Sequence, residues 1–329
     1  MFRRFLVLMA VLGTFLMTAC PLALFRANGA MISTRHDAIV LSDAEFASMV
    51  EAVPATLPSS TPAVTPTPQP LANPALMALR DQLASTISDS AINAAVAVTD
   101  LQTGESIDVN GDTARHAGCT ANWFVLLSVV MDVQNGLYPE GLVGSLISRT
   151  IYGSNPVTAR DLLIQTGGGS EEGGVLKVRR LLASLGLTHS TFDHPPGYSE
   201  EYTTDGSPNV LTANDVTRAL AAFYRDEVVT RQWRDYLLEK MTNVKPGLQY
   251  LIPAGVGENA RVSHKNGFTW MPGGWVDNDI GIVVFDTSGG PRAYAIAFYS
   301  QDVSWEYADV PMGQQVSRLV WQYFAMKYP

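Results

Sequence analysis

The sequence predicts a mixed α/β (α+β) domain: an antiparallel sheet flanked by helices, with an all-helical block inserted between its strands. Three observations carry that expectation. Short apolar runs bounded by turn residues occur near both ends of residues 75–329, while the middle is dominated by runs of helical period. Neither set of strands is numerous enough to make a sheet by itself, so the two sets join and the helices between them become an insertion. Helical patterns also open and close the region.

The elements follow in order. "ALMALRDQLASTI" places Leu76, Leu79, Leu83 and Ile87 at helical spacing. "AINAAVAVTDLQTGESIDVNGD" reads as two strands, with Thr103-Gly104 in the turn and Asn110-Gly111 closing the second. "RHAGCTANWFVLL" then delivers a thiol, Cys119, through a small-residue turn to the start of an apolar helix that runs to about Gln134. Between 135 and 250 come "TARDLLIQT", "VLKVRRLLASLG" and "TANDVTRALAAFYRDEV", the last capped by Thr212 or Asn214. "ARVSHKNGFTW", "DIGIVVFDT" and "RAYAIAFYSQD" are strands, and Ser288 to Pro291 turn the chain between the last two. A terminal helix sets Val316, Leu319, Val320 and Tyr323 on one face.

Ahead of this domain stand two segments of another kind. Residues 1–20 have Arg3 and Arg4, an apolar run and then small residues, the pattern of an export signal. The run is short for a membrane-spanning helix. Its end, "LMTAC", is similar to a bacterial lipobox, which makes Cys20 the expected lipidated N-terminus and a membrane anchor; an ordinary signal peptide, with a secreted product, or an uncleaved anchor are the alternatives. Residues 21–74 form a linker whose second half is rich in proline and threonine, an extended spacer. The expected address is the cell envelope. With Cys20 lipidated, Cys119 has no partner and the domain has no disulfide.

Composition excludes several functions. A net charge of −9, from 22 basic and 31 acidic residues without a basic stripe, argues against nucleic-acid binding. The five histidines show no metal spacing, so neither metal nor cofactor is expected. "TGGGSEEGG" (166–174) lacks the Lys-Ser/Thr of a phosphate loop. Trp270, Trp275 and Trp305 either line a glycan groove or pack the strands.

Three stretches remain: Cys119-Thr120-Ala121-Asn122, Gly153-Ser154-Asn155 and Lys265-Asn266-Gly267. In order and spacing, and in the apolar patterns around them, they make nearly the whole of 75–329 resemble the class A β-lactamase and penicillin-binding serine hydrolase family. That family carries Ser-x-x-Lys at a helix start, Ser-Asp-Asn in its helical part and Lys-Thr-Gly on a strand. The resemblance implies its two-part β-lactamase/transpeptidase-like fold, with a helical part at about 116–250. It also implies a pocket for a cell-wall peptide or a β-lactam-like small molecule.

Each motif is altered. Cys119 stands at the nucleophile position, and Asn122, one turn on along the same helix face, stands where the family has its lysine. An amide is no base at neutral pH. In the register that keeps Asn155 as a substrate contact, Gly153 takes the place of the shuttle serine; in the other, Ser154 supplies the hydroxyl and the asparagine match is lost. Lys265 and Gly267 are retained, with Asn266 between them. Lys265 would attract a carboxylate, and Gly267 would let a ligand backbone approach the strand. Glu200 and Glu201 fall near the family's water-activating glutamate, as pocket base or as solvated loop acids.

These losses point to a catalytically degenerate member that binds a peptidoglycan-like ligand. The alternatives are a hydrolase or acyltransferase using Cys119, since a thiol needs a base less than a hydroxyl does, and a structural envelope protein. His116 and His264 are candidate assistants, although His264, adjacent to Lys265 on a strand, would face away from it.

Overall fold

The computed structural model describes residues 73–197, 208–271 and 273–329. The signal segment, Cys20, nearly all of the linker, and Glu200 and Glu201 lie outside the described residues.

Helix α1 (Pro74–Ser90) opens the domain, capped by the Asn73 side chain, and buries Leu76, Leu79, Leu83 and Ile87 as their spacing requires. Strands β1 (Asn93–Asp100) and β2 (Ser106–Val109) follow as a hairpin. A two-residue strand β3 (Arg115–His116) and a 3-10 turn (Gly118–Ala121) lead into α2 (Asn122–Gln134). Helices α3 (Glu140–Tyr152), α4 (Pro156–Thr166) and α5 (Glu171–Ser184) come next. After β4 (Val210–Leu211), which pairs with β3, come α6 (Ala213–Tyr224), α7 (Arg231–Thr242) and the single turn α8 (Ile252–Gly255). Thr212 caps α6 by accepting from the Asp215 N–H. Strands β5 (Ala260–Met271), β6 (Gly274–Phe285) and β7 (Arg292–Gln301) and helix α9 (Val310–Lys327) complete the chain.

The main sheet has the order β2-β1-β7-β6-β5, antiparallel throughout. N-terminal and C-terminal strands therefore do share one sheet, joined where β1 pairs with β7 along its full length, Asn93 opposite Gln301 to Asp100 opposite Tyr294. Both faces are covered, which is why β1 and β7 read as nearly continuous apolar runs rather than alternating ones. Ala95, Ala97, Ile280, Ile282 and Tyr299 face the helical block, and Ala94, Val96, Val98, Val283 and Phe298 face α1 and α9.

Helix α2 runs through the centre of the first layer with eleven of its thirteen residues buried, Trp123 to Val130 among them. A helix apolar all round belongs in a core, and here it also fixes its own N-terminal turn against the sheet. The β5–β6 hairpin extends further toward its tip than the apolar runs alone imply, since Trp270 and Trp275 are paired in it.

Candidate active site

The turn bearing Cys119 is held from three sides. Gly118 takes φ +51°, a left-handed value that suits glycine. The Thr120 hydroxyl donates to the Ala117 carbonyl at 2.5 Å and meets the Tyr299 hydroxyl at 3.2 Å. From β6, the Asn278 side-chain amide donates to the carbonyls of His116 (2.8 Å) and Ala117 (3.2 Å). The third support is contact with β5. A Cβ on Gly267 would lie 2.8 Å from the backbone nitrogens of both Cys119 and Thr120. Gly267 thus admits the chain's own turn bearing Cys119, where the sequence suggested a ligand backbone.

Cys119 is half-buried, and none of the described residues makes a hydrogen bond to its sulfur. Asn122 begins α2 and is buried.

Lys265 is the centre of the polar cluster. It is fully buried on the face of β5 that looks to the helical block, paired in register with Ile280. Its Nζ donates to Ser154 Oγ at 2.5 Å and to its neighbour's carbonyl, Asn266 O, at 2.6 Å. The Ser154 hydroxyl also reaches Asn266 O, at 3.4 Å. Burial pulls the Lys265 amine below the ordinary lysine range, while the charges of Cys119 and Asp279 act in the opposite direction.

Of the second motif, it is the Ser154 hydroxyl that meets Lys265. Gly153 is the C-cap of α3, not the hydroxyl position, and Ser154 follows it with φ +52°. That left-handed step turns the hydroxyl toward β5. Asn155 has a different occupation: its side-chain oxygen caps α4, accepting from the N–H groups of Val157 (2.9 Å) and Thr158 (3.3 Å). Beside this turn a depression of 420 Å³ is lined by Arg149, Tyr152, Gly153, Asn155 and Pro156.

Strand alternation sorts the remaining candidates. Asn266 and His264 fall on the opposite face of β5 from Lys265 and Gly267. His264 Nδ1 is 2.8 Å from Asp279 Oδ1 in the layer under α8 and α9, so it does not serve the cluster; Asn266 contributes its carbonyl. His116 lies on β3, its N–H donating to Gln301 Oε1 at 3.2 Å. Thr120, Asn278 and Tyr299 support the site and had no sequence signal, being ordinary strand and turn residues until the sheet places them under Cys119. Among the described residues no three His, Cys, Asp or Glu side chains are grouped to hold a metal ion.

The structure thus gathers the Ser154 hydroxyl and the buried Lys265 amine at β5, beside the turn that carries Cys119. Residues 143–324 match the model of the Beta-lactamase2 family, described as the beta-lactamase enzyme family. The chain belongs to the beta-lactamase enzyme family.

Solved structures agree at the level of fold. PBP-A superposes with a TM-score of 0.63 at 22% identity, over 76% of this chain and 97% of that one. A class A beta-lactamase from Bacteroides cellulosilyticus gives 0.65 at 20% identity, over 77% and 99%. TLA-3 extended-spectrum beta-lactamase gives 0.64 at 19% identity, over 75% and 98%. No curated protein matches the sequence. The beta-lactamase/transpeptidase fold expected from the altered motifs is the fold of this domain.

Proposed function

We propose that this domain is a degenerate member of its family: at Cys119, Ser154 and Lys265 it binds an envelope-derived acyl compound, a cell-wall peptide or β-lactam-like molecule, without turning it over. The observation that carries the reading is the composition of the proton-transfer positions. One turn beyond Cys119 stands the buried amide Asn122. The one amine in the cluster, Lys265, directs its hydrogens at Ser154 and Asn266 O. Neither is arranged to take a proton from the sulfur. What remains suits recognition: a buried cation for a carboxylate or carbonyl oxygen, and a hydroxyl beside it.

The Ser154–Lys265 pair favours one rival, an acyl transfer to sulfur. In it the S–C bond forms as the substrate C–N bond breaks. The thiol proton passes through the Ser154 hydroxyl to the leaving nitrogen, with Lys265 holding that hydroxyl in place. A variant of PBP-A has been solved as an acyl-enzyme with penicillin G, so a penicillin is the natural probe.

One experiment separates the readings. The protein is incubated with a fluorescent penicillin, ligand-induced thermal stabilisation is recorded, and the intact mass is measured. The degenerate reading expects stabilisation that Lys265→Met removes, with no added mass and no hydrolysis. A penicilloyl adduct on Cys119, or turnover that Cys119→Ala abolishes, establishes the thiol enzyme instead. The domain's place in the cell, tethered at the envelope through Cys20, rests on the N-terminal sequence pattern.

A further inference from the structure

A carboxylate taken out of water is costly unless a donor or an opposite charge meets it. Three lie in the layer between the sheet and helices α8 and α9: Asp277 and Asp279 on β6, and Asp309 just before α9, each at most 1% exposed. Asp279 is satisfied, with His264 Nδ1 at 2.8 Å from its Oδ1 and the Ile252 N–H donating to its Oδ2 at 3.1 Å. The other two are not. Asp277 Oδ1 accepts from the Tyr250 hydroxyl at 2.8 Å, while its Oδ2 is buried and meets no donor among the described residues. The same holds for both oxygens of Asp309. The Ser300 hydroxyl lies near Asp309, yet its one hydrogen goes to the Asp277 carbonyl at 2.7 Å.

An amide oxygen shares the layer. Asn266 on β5 pairs with Asp279 and stands diagonal to Asp277, which pairs with Phe268. Diagonal neighbours on one sheet face have Cα atoms roughly 7–8 Å apart, too far for two short side chains to bond directly and near enough for them to share an ion. Asn266 is buried, and its side-chain oxygen meets no donor among the described residues. The unmet atoms of Asp277, Asp309 and Asn266 are thus all oxygens that accept. Among the described residues no lysine or arginine pairs with either acid. Between Asn266 and Asp309 the only basic residue is Arg292, opposite Phe285 at the far end of the β6–β7 ladder. Unmet buried acceptors on this scale call for a bound ion.

We propose that Asp277 Oδ2, the Asp309 carboxylate and Asn266 Oδ1 form a buried site for one calcium ion. An all-oxygen donor set selects a hard cation over a soft one, and two carboxylates balance a double positive charge. Calcium accepts carboxylate and amide oxygens in a flexible geometry, whereas magnesium demands a near-ideal octahedron and keeps several waters, for which so closed a layer has little room. Only two of the donors are acids, which is why no group of three His, Cys, Asp or Glu side chains marks the place. Bound there, the ion would tie the start of α9 to the β5–β6 hairpin. The site lies on the opposite face of β5 from Lys265 and Gly267, so it does not rest on the reading of Cys119.

The test strips the full-length protein with a chelator and titrates it with calcium chloride, and in parallel with magnesium chloride, while the thermal midpoint is followed. Calcium is expected to raise the midpoint, as any ligand of the folded state alone does. Magnesium should need a concentration about tenfold higher or more for the same rise. Terbium, a luminescent stand-in for calcium, should be sensitised by Tyr250, whose hydroxyl touches Asp277, and displaced by calcium. Asp309→Asn should abolish both responses and yet, without metal, melt no lower than wild type, since it removes a buried charge. Asp277→Asn, which keeps an acceptor for Tyr250, should lose them likewise, and Cys119→Ala should keep them. A protein of net charge −9 also gathers cations loosely at its surface, a background that both variants retain. Stabilisation or sensitised terbium emission undiminished in the two variants therefore overturns the proposal. An unmoved wild-type midpoint overturns it too, as does magnesium acting as well as calcium.

Discussion

Asp277 shows how far a single residue can depart from its sequence-level expectation. An aspartate in a strand ordinarily faces solvent; this one is fully buried, near Asp309 and Asp279, and accepts from the Tyr250 hydroxyl at 2.8 Å. Burial first, then the Asp309 charge, pushes its carboxyl up to about 8, against the downward pull of the Tyr250 hydrogen bond. The sign follows from linkage. The folded-state value lies above the unfolded one, so the folded protein binds the extra proton, and the contribution to stability is complete below the unfolded value near 3.8. It is then lost as pH rises toward about 8, at up to ~1.4 kcal/mol per pH unit. Asp277→Asn, which keeps an acceptor for Tyr250, should flatten this dependence and be the more stable form at pH 8. Urea unfolding of both proteins between pH 5 and 9 measures it; parallel slopes would refute the assignment. Lys265 is the complementary case, a cation taken out of water on the other face of the sheet and satisfied by Ser154 and a carbonyl.

Elements decide which of two adjacent residues becomes chemical and which structural. Helix α3 ends at Tyr152 and α4 begins at Pro156, leaving three residues to turn the chain beneath β5. The first caps α3, the second takes the left-handed step that aims its hydroxyl at Lys265, and the third caps α4. Asn155→Ala should therefore cost about 1 kcal/mol of stability, the usual worth of an N-cap, visible as a lower denaturation midpoint, and should leave ligand-induced stabilisation in place. Loss of ligand response at unchanged stability would show instead that Asn155 contacts the ligand. Sequence reasoning found both Ser154 and Asn155 but could not choose the register, because the choice depends on where β5 passes, more than a hundred residues away. It found Lys265 and Gly267 by motif and misjudged the purpose of Gly267, since the backbone that approaches it is the chain's own.

At the scale of the whole molecule, the ends of the domain are tied together. Lys327, at the end of α9, pairs with Asp100 at 2.7 Å and Glu105 at 3.0 Å, and the Tyr328 hydroxyl donates to the same Asp100 oxygen. These contacts lock the last helix onto the first hairpin, and the full-length β1–β7 pairing joins the two ends of the domain in one sheet. The proposed lipid anchor predicts that Cys20→Ser moves the protein from the membrane fraction to the soluble or secreted fraction, measured by fractionation and detergent partitioning. Unchanged membrane association would favour an uncleaved N-terminal helix.

What the sequence determined by itself was local or periodic: where helices and strands lie, that the two strand groups must combine, and that the base position beside Cys119 holds an amide. Those follow from apolar spacing and residue chemistry, which act over a few residues. The tertiary structure alone decided which hydroxyl meets Lys265, why residue 267 must lack a side chain, and that Trp270 at the hairpin tip stands in solvent while its partner Trp275 stacks on Phe268. These depend on the register and approach of segments far apart in the chain, and such distances are set by the packing of whole layers.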